Sequence, residues 1–265
     1  MTARIFIFCA VAAATGCKTI ATYTLKTTGA IAETTIKVGG AVTKTAINTT
    51  FDIAGMAFKK GAVTVIDTTT GEPGEMEALG RRLAKQGAYY LEANVAGSSE
   101  LAKHGEATLF LGGDTETIEH HWELLEALAA KRFHVGPVGA ASRFKLVHNL
   151  ILGLNRAALG EGLAFAEALG FDAGEALALL KETPAVSAAM EAKGGKMAGG
   201  EYHPPQARLV QHLKDVCLIR LLASKTGAQT PLTDVHQNLL EKAEALGFGE
   251  ADNAAIIEVF RQGSL

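Results

Sequence analysis

The chain has 265 residues, 48% of them hydrophobic, and a formal net charge of −3. That size and apolar content suffice for one or two substantial cores, while scattered Lys and Arg on a near-neutral chain give no basic face for nucleic acid. Cys9, Cys17 and Cys217 form neither a C-x-x-C pair nor an even framework, and His120-His121 has no further ligand at helical or turn spacing, so neither a disulfide scaffold nor a metal centre is expected.

Residues 1–17 admit two readings. Arg4, the apolar run Ile5 to Ala14 and Thr15-Gly16-Cys17 resemble a bacterial lipoprotein signal ending in a lipobox cysteine, which would tether the protein to a membrane through lipid on Cys17. The other reading is a buried first strand, Arg4 to Val11, at the edge of an α/β sheet. The run is short for a membrane span, and no later stretch is apolar enough to cross. An eleven-residue repeat follows, with Leu25, Ile36, Ile47 and Phe58 opening its units and Ile31, Val42 and Ile53 recurring six positions on. Eleven residues make about three helical turns, so the apolar positions return to one face. The repeat predicts an amphipathic helix or helix pair, weakened by its Thr and Gly. Residues 1–60 are therefore read as an unrelated, mainly helical N-terminal segment.

From residue 61 strands and helices alternate. Strands are expected at Val63 to Ile66, Tyr89 to Leu91, Thr108 to Leu111 and Arg132 to His134, with helices at Glu75 to Gln86 and Thr115 to Ala130. Such alternation implies a partial Rossmann-like α/β layer over 61–136. Beyond Gly139 every periodic segment is helical: Ala140 to Leu169, Ala173 to Leu180, Val186 to Met197, Gln206 to Ser224, Pro231 to Leu246 and Asn253 to Arg261, with Pro184, Pro204-Pro205 and Pro231 as punctuation. Residues 137–265 thus read as an all-α domain.

The run HVGPVGAASRFKLVHNLILG, His134 to Gly153, places Lys145 and Asn149 four apart, on one face of a glycine-led helix. The turn through Gly136, Pro137 and Gly139 could bring an anion to the helix N-terminus. An amine there is disfavoured as a cation, so Lys145 could exchange a proton with a hydroxyl or carbonyl oxygen that Asn149 orients.

This run resembles the catalytic helix of the β-hydroxyacid dehydrogenases, whose pattern is G-x-x-G-x-G-x-x-x-K-x-x-N-N. Gly136, Gly139, Lys145 and Asn149 match, whereas Ala141 replaces Gly and His148 replaces Asn. Upstream, Asp67, Thr70 and Pro73 fit D-x-S-T-x-x-P with Thr69 in place of Ser. Glu92-Ala93-Asn94-Val95-Ala96-Gly97-Ser98 resembles the substrate motif D-A-P-V-S-G-G, with Glu92 for Asp, Asn94 for Pro and Ala96 for Ser. Downstream, Lys214-Asp215 and Pro231-Leu232-Thr233 resemble the K-D-L-x-L-A segment and the P-L-T turn.

The resemblance implies an NAD- or NADP-dependent enzyme that passes a hydride between a nicotinamide and a small β-hydroxy acid or its semialdehyde. Lys145 and Asn149 would be catalytic, Gly97, Ser98 and Ser99 would hold the substrate, and Thr70 and Lys214, the latter braced by Asp215, would meet the nicotinamide. It also implies a homo-oligomer through the helical domain and a cytoplasmic enzyme. The pyrophosphate motif G-x-G-x-x-G is absent from residues 1–60, so the N-terminal half of the cofactor domain is expected to be missing. That leaves open a catalytically inert helical dimerisation module or a lipid-anchored passenger. The choices between NAD and NADP and among hydroxy acids stay open.

Overall fold

A computed structural model describes residues 4–9, 19–24 and 63–262. Strands β1 (Arg4–Cys9), β2 (Thr19–Thr24), β3 (Val63–Asp67), β4 (Tyr89–Ala96), β5 (Thr108–Gly112) and β6 (Lys131–Gly136) form one sheet in the order β2-β1-β3-β4-β5-β6. β1, β3 and β4 run parallel, β2 is antiparallel to β1, and β5 is antiparallel to β4 and parallel to β6. Residues 4–9 therefore take the strand reading, with one correction: β2 covers β1, so β1 is not the sheet edge. Cys17 and the repeats at 25–60 lie outside the described residues.

All five residues of β3 are buried, as expected of a parallel strand covered on both faces. β4 runs five residues past its expected end at Leu91. Glu92 and Asn94 interrupt the apolar pattern, yet both are buried, at 1% and 0% exposure, with the Glu92 carboxylate and the Asn94 amide nitrogen finding partners inside the domain. Helix α1 (Pro73–Lys85) starts on a proline at its first position, and the Glu72 side chain accepts from Glu75 N at 2.8 Å. A short helix α2 (Ser99–Lys103) follows β4.

The single helix expected over Thr115 to Ala130 is instead two, α3 (Thr115–His120) and α4 (Trp122–Leu128). His121 leaves the helical region at φ −107°, ψ 13°. Its ring Nδ1 lies 2.7 Å from the Thr117 carbonyl, and its N–H donates to Ile118 O, so the side chain takes the acceptor that would have continued the ladder.

The chain divides into two compact units, 1–145 and 146–265, with the division inside helix α5 (Ala140–Ala168). In the first, Ile66, Leu91, Ala93, Leu109, Leu111, Ile118 and Leu125 form the core between sheet and helices. In the second, α5 is followed by α6 (Ala173–Lys181), α7 (Ala188–Gly199), α8 (Leu209–Thr226), α9 (Pro231–Ala243), a π turn (Glu244–Phe248), a 3-10 turn (Asn253–Ile256) and α10 (Ile257–Arg261). Leu163, Met197, Leu209, Leu240, Ile256 and Ile257 lie at the centre of its core, each 0% exposed. The last expected helix starts as the 3-10 turn, where the Asp252 carboxylate accepts from Ala254 N at 3.1 Å.

Candidate active site

Chain entry into α5 is set by glycine. Gly136 and Gly139 have φ of +136° and +91°, and a Cβ on Gly139 would stand 2.5 Å from Glu77 Oε1. The helix N-terminus is not open to a ligand anion, which corrects the sequence expectation. The Glu92 carboxylate, projecting from β4, accepts from Gly139 N at 2.6 Å and from the Ser142 hydroxyl, and the Ser142 N–H points to it as well. The protein's own carboxylate thus satisfies donors that begin the helix. Burial pushes the Glu92 carboxyl above its ordinary range, and the hydrogen bonds from Ser142 and Gly139 oppose that rise.

Lys145 comes one turn after Ser142 and Asn149 one turn after Lys145. They are 8% and 7% exposed, so this face of α5 is not a solvated edge. In the second unit, the Asn149 amide donates to Asp215 Oδ2 at 2.8 Å, and the ring Nδ1 of His148 lies 3.1 Å from Asn149 Oδ1. Lys214 Nζ sits 3.0 Å from Asp215 Oδ1. The bracing of Lys214 by Asp215 is therefore present, and the same carboxylate also holds Asn149, a link that spacing alone did not reveal.

In the first unit the expected cofactor loop follows β3. Asp67 accepts from Thr69 N and from the Tyr90 hydroxyl, both at 2.9 Å, which folds the loop back at Thr69-Thr70. Burial and the Asp67 charge push the Tyr90 phenol well above its usual range, so it remains a donor. Asn94 donates its amide to the Thr69 carbonyl. At the place where the resembled motif has proline, which has no side-chain donor, this chain ties the substrate strand to the Thr69-Thr70 loop.

Gly97 ends β4 at φ +149°, and a Cβ there would meet Ala107 Cβ at 3.3 Å and Leu101 Cβ at 3.4 Å. The Ser98 hydroxyl accepts from Leu101 N at 3.3 Å, making Ser98 the cap of α2, which Ser99 opens. Ala96 and Ala141, two positions that depart from the resembled motifs, pack in one apolar cluster with Phe110. The missing hydroxyl at 96 and the added methyl at 141 are thus one local change.

A nicotinamide cofactor suits the described part of this unit. The Thr68 to Gly71 loop leaves the carboxyl end of a parallel strand, where open α/β sheets bind ligands, and both Asp67 and Asn94 preform it. The turn after β1, where a pyrophosphate would be expected, falls on residues outside the description. Among the described residues no group of three or more His, Cys, Asp or Glu could hold a metal ion, and no helix is long and apolar enough to cross a membrane.

Residues 10–136 match the family model described as the NAD binding domain of 6-phosphogluconate dehydrogenase. Residues 139–260 match the model described as NAD-binding of NADP-dependent 3-hydroxyisobutyrate dehydrogenase. The first match starts at residue 10, well ahead of the first motif at Asp67, so the expectation that residues 1–60 are unrelated and half of the domain is missing finds no support. The chain is 30% identical over 208 residues to L-threonate dehydrogenase of Cupriavidus necator, covering 78% of this chain and 69% of that protein. It is 29% identical over 191 residues to the cytokine-like nuclear factor N-PAC of Aedes aegypti, covering 72% of this chain but only 34% of the nuclear factor. The fold resembles the crystal structure of 3-hydroxyisobutyrate dehydrogenase from Salmonella typhimurium with a TM-score of 0.74, 23% identity and coverage of 82% and 75% of the two chains.

Proposed function

The chain belongs to the β-hydroxyacid dehydrogenase family, and on that premise we propose that it transfers a hydride between NAD or NADP and a small β-hydroxy acid or its semialdehyde. The observation that carries the reading is the buried pair on α5, Lys145 and then Asn149, with the Asn149 amide held by Asp215. A lysine kept from solvent, four positions ahead of an oriented amide in the same helix, suits proton exchange with an alcohol better than it suits a surface.

The bound nicotinamide supplies the hydride acceptor or donor. In oxidation, Lys145 Nζ takes the hydroxyl proton as the carbonyl forms, and in reduction it returns that proton to the oxygen. Asn149 orients the same oxygen, and its anchored amide loses little freedom on meeting it. The Gly97-Ser98 turn and Ser99 receive the substrate's acid end, and the Ser98 hydroxyl, whose oxygen accepts from Leu101 N, keeps its proton to donate. Thr70 and Lys214 are assigned the nicotinamide contacts. That L-threonate dehydrogenase is a relative supports a hydroxy acid as substrate.

The test is to follow nicotinamide absorbance with a panel of semialdehydes and β-hydroxy acids. Turnover is expected in the wild type and a loss of about a thousandfold or more in Lys145→Met, with cofactor binding retained by fluorescence titration. Equal rates in both proteins would remove the assignment.

A homo-oligomer is part of the reading. Val147, Ile151 and Phe165 are 53%, 55% and 64% exposed and recur along one face of α5, and Leu169, 59% exposed, follows directly after its end. A second copy is the proposed cover, and light scattering should give a dimer or larger, reduced towards monomer by Ile151→Glu with Phe165→Glu.

A further inference from the structure

We infer that Glu92 is a positioning residue for Lys145: it fastens the start of α5 to β4 and thereby sets where the proton-exchanging amine stands. The attachment has two points on one strand. Glu92 and Ala96 are four residues apart on β4 and so face the same side of the sheet. Glu92 grips Gly139 N and the Ser142 hydroxyl, while Ala96 packs with Ala141 and Phe110. Two contacts along a strand fix both the position and the angle of the helix start, and Lys145 is borne one turn beyond Ser142. The residue after Ala96 is Gly97, the substrate turn, so one strand carries both the clamp and the expected substrate site.

The neighbouring strand is adapted to this arrangement. Gly112 pairs directly with Glu92, and a Cβ on Gly112 would lie 2.5 Å from Glu92 Oε2 and 3.0 Å from Ala141 N. Glycine at 112 makes room for the carboxylate and lets the α5 backbone approach the sheet. A carboxylate buried to 1% exposure in a central strand is strongly disfavoured unless its oxygens are satisfied. Two donors at the start of one helix, Gly139 N and the Ser142 hydroxyl, satisfy this one, so the cost becomes a requirement that the helix start lie here.

The kinetic arm of the test rests on the hydride-transfer reading, and the exchange arm does not. Glu92→Gln keeps the volume but removes the charge that draws both donors, and Ser142→Ala removes one donor from the other side. Glu92→Gln is expected to lower kcat about tenfold or more while the cofactor KM stays within about twofold, since a displaced amine affects the chemical step rather than uniform binding. Ser142→Ala should shift kcat in the same direction by less. In hydrogen exchange, the peptide containing residues 139–145 should lose protection by about tenfold in Glu92→Gln, with β3 unchanged. Retention of wild-type kcat in both variants, or kcat and cofactor KM failing together, would overturn the inference. Should the wild type turn over no hydroxy acid, the functional reading fails and exchange decides this one: unchanged protection at 139–145 sinks it, and selective loss sustains it. If Glu92→Gln does not fold, Ser142→Ala carries both measurements.

Discussion

Asn149 donates its side-chain amide to Asp215 at 2.8 Å, and the other oxygen of that carboxylate lies 3.0 Å from Lys214 Nζ. One buried acid therefore orients two groups assigned different tasks. Asp215→Asn, nearly isosteric, should lower kcat/KM by about tenfold to a hundredfold, the scale of a lost hydrogen bond to a charged group. Initial rates measure this, and adding Asn149→Ala to Asp215→Asn should cost much less than the sum of the two single effects.

Ala96 and Ala141 should act together. Ala96→Ser alone places a hydroxyl in the apolar cluster with Phe110 and the Ala141 methyl. The pair Ala96→Ser with Ala141→Gly removes that methyl and should lower the KM for a carboxylate-bearing substrate by about tenfold relative to Ala96→Ser. Steady-state KM values for the three variants decide it, and equal values would break the link.

Gly153 on α5 lies against two imidazoles. A Cβ there would stand 2.5 Å from His212 Nε2 and 2.6 Å from His236 Cε1. Gly153→Ala gains about 1 kcal/mol of helix propensity but overpacks the contact at a cost of about 1–3 kcal/mol. A net loss of stability is expected, read as a lower midpoint in urea.

His236 is 2% exposed, and burial, with the Arg156 charge, lowers its pKa from 6.5 to about 4. Above pH 6.5 the ring is neutral in folded and unfolded chains alike. Between 6.5 and about 4 the unfolded chain takes up the proton and the folded one does not, so stability falls as pH falls. The loss amounts to about 3 kcal/mol when complete. Urea melts from pH 7.5 to 4 should show a steeper decline in the wild type than in His236→Gln, and parallel curves would remove the assignment.

Lys193 Nζ lies 2.8 Å from Asp252 Oδ2, and Asp252 is 0% exposed. Lys193→Met should cost about 3–5 kcal/mol, because it leaves a buried carboxylate without its ammonium partner. Charge reversal at the exposed Arg220–Asp234 pair should cost under about 1 kcal/mol by the same melts.

Sequence alone placed α5 and set Lys145 and Asn149 one turn apart on it, because glycine spacing and apolar period are local signals. It also foresaw Asp215 beside Lys214, since the two are adjacent in the chain. It ended β4 at Leu91, because Glu92 and Asn94 look like surface residues until their partners at Gly139, Ser142 and Thr69 are known. Those partners lie 25 to 50 positions away, beyond the reach of any periodicity. The break at His121 was hidden for a related reason: a side chain competing for one carbonyl leaves the apolar pattern intact. Residues 1–60 lack the glycine signature, yet the family match continues through them from residue 10.

The grip of Glu92 on Gly139 spans 47 positions of chain, and it bears on how the domain reaches its native state. Until the turn at 136–142 closes, β4 would have to bury a carboxylate with nothing to receive it, so the middle of the sheet is poorly stable by itself. Assembly of β4 and the first turn of α5 should therefore fall in one cooperative step, late enough to bring distant segments together. A chain released before residue 142 would lack the donors that make its own central strand acceptable.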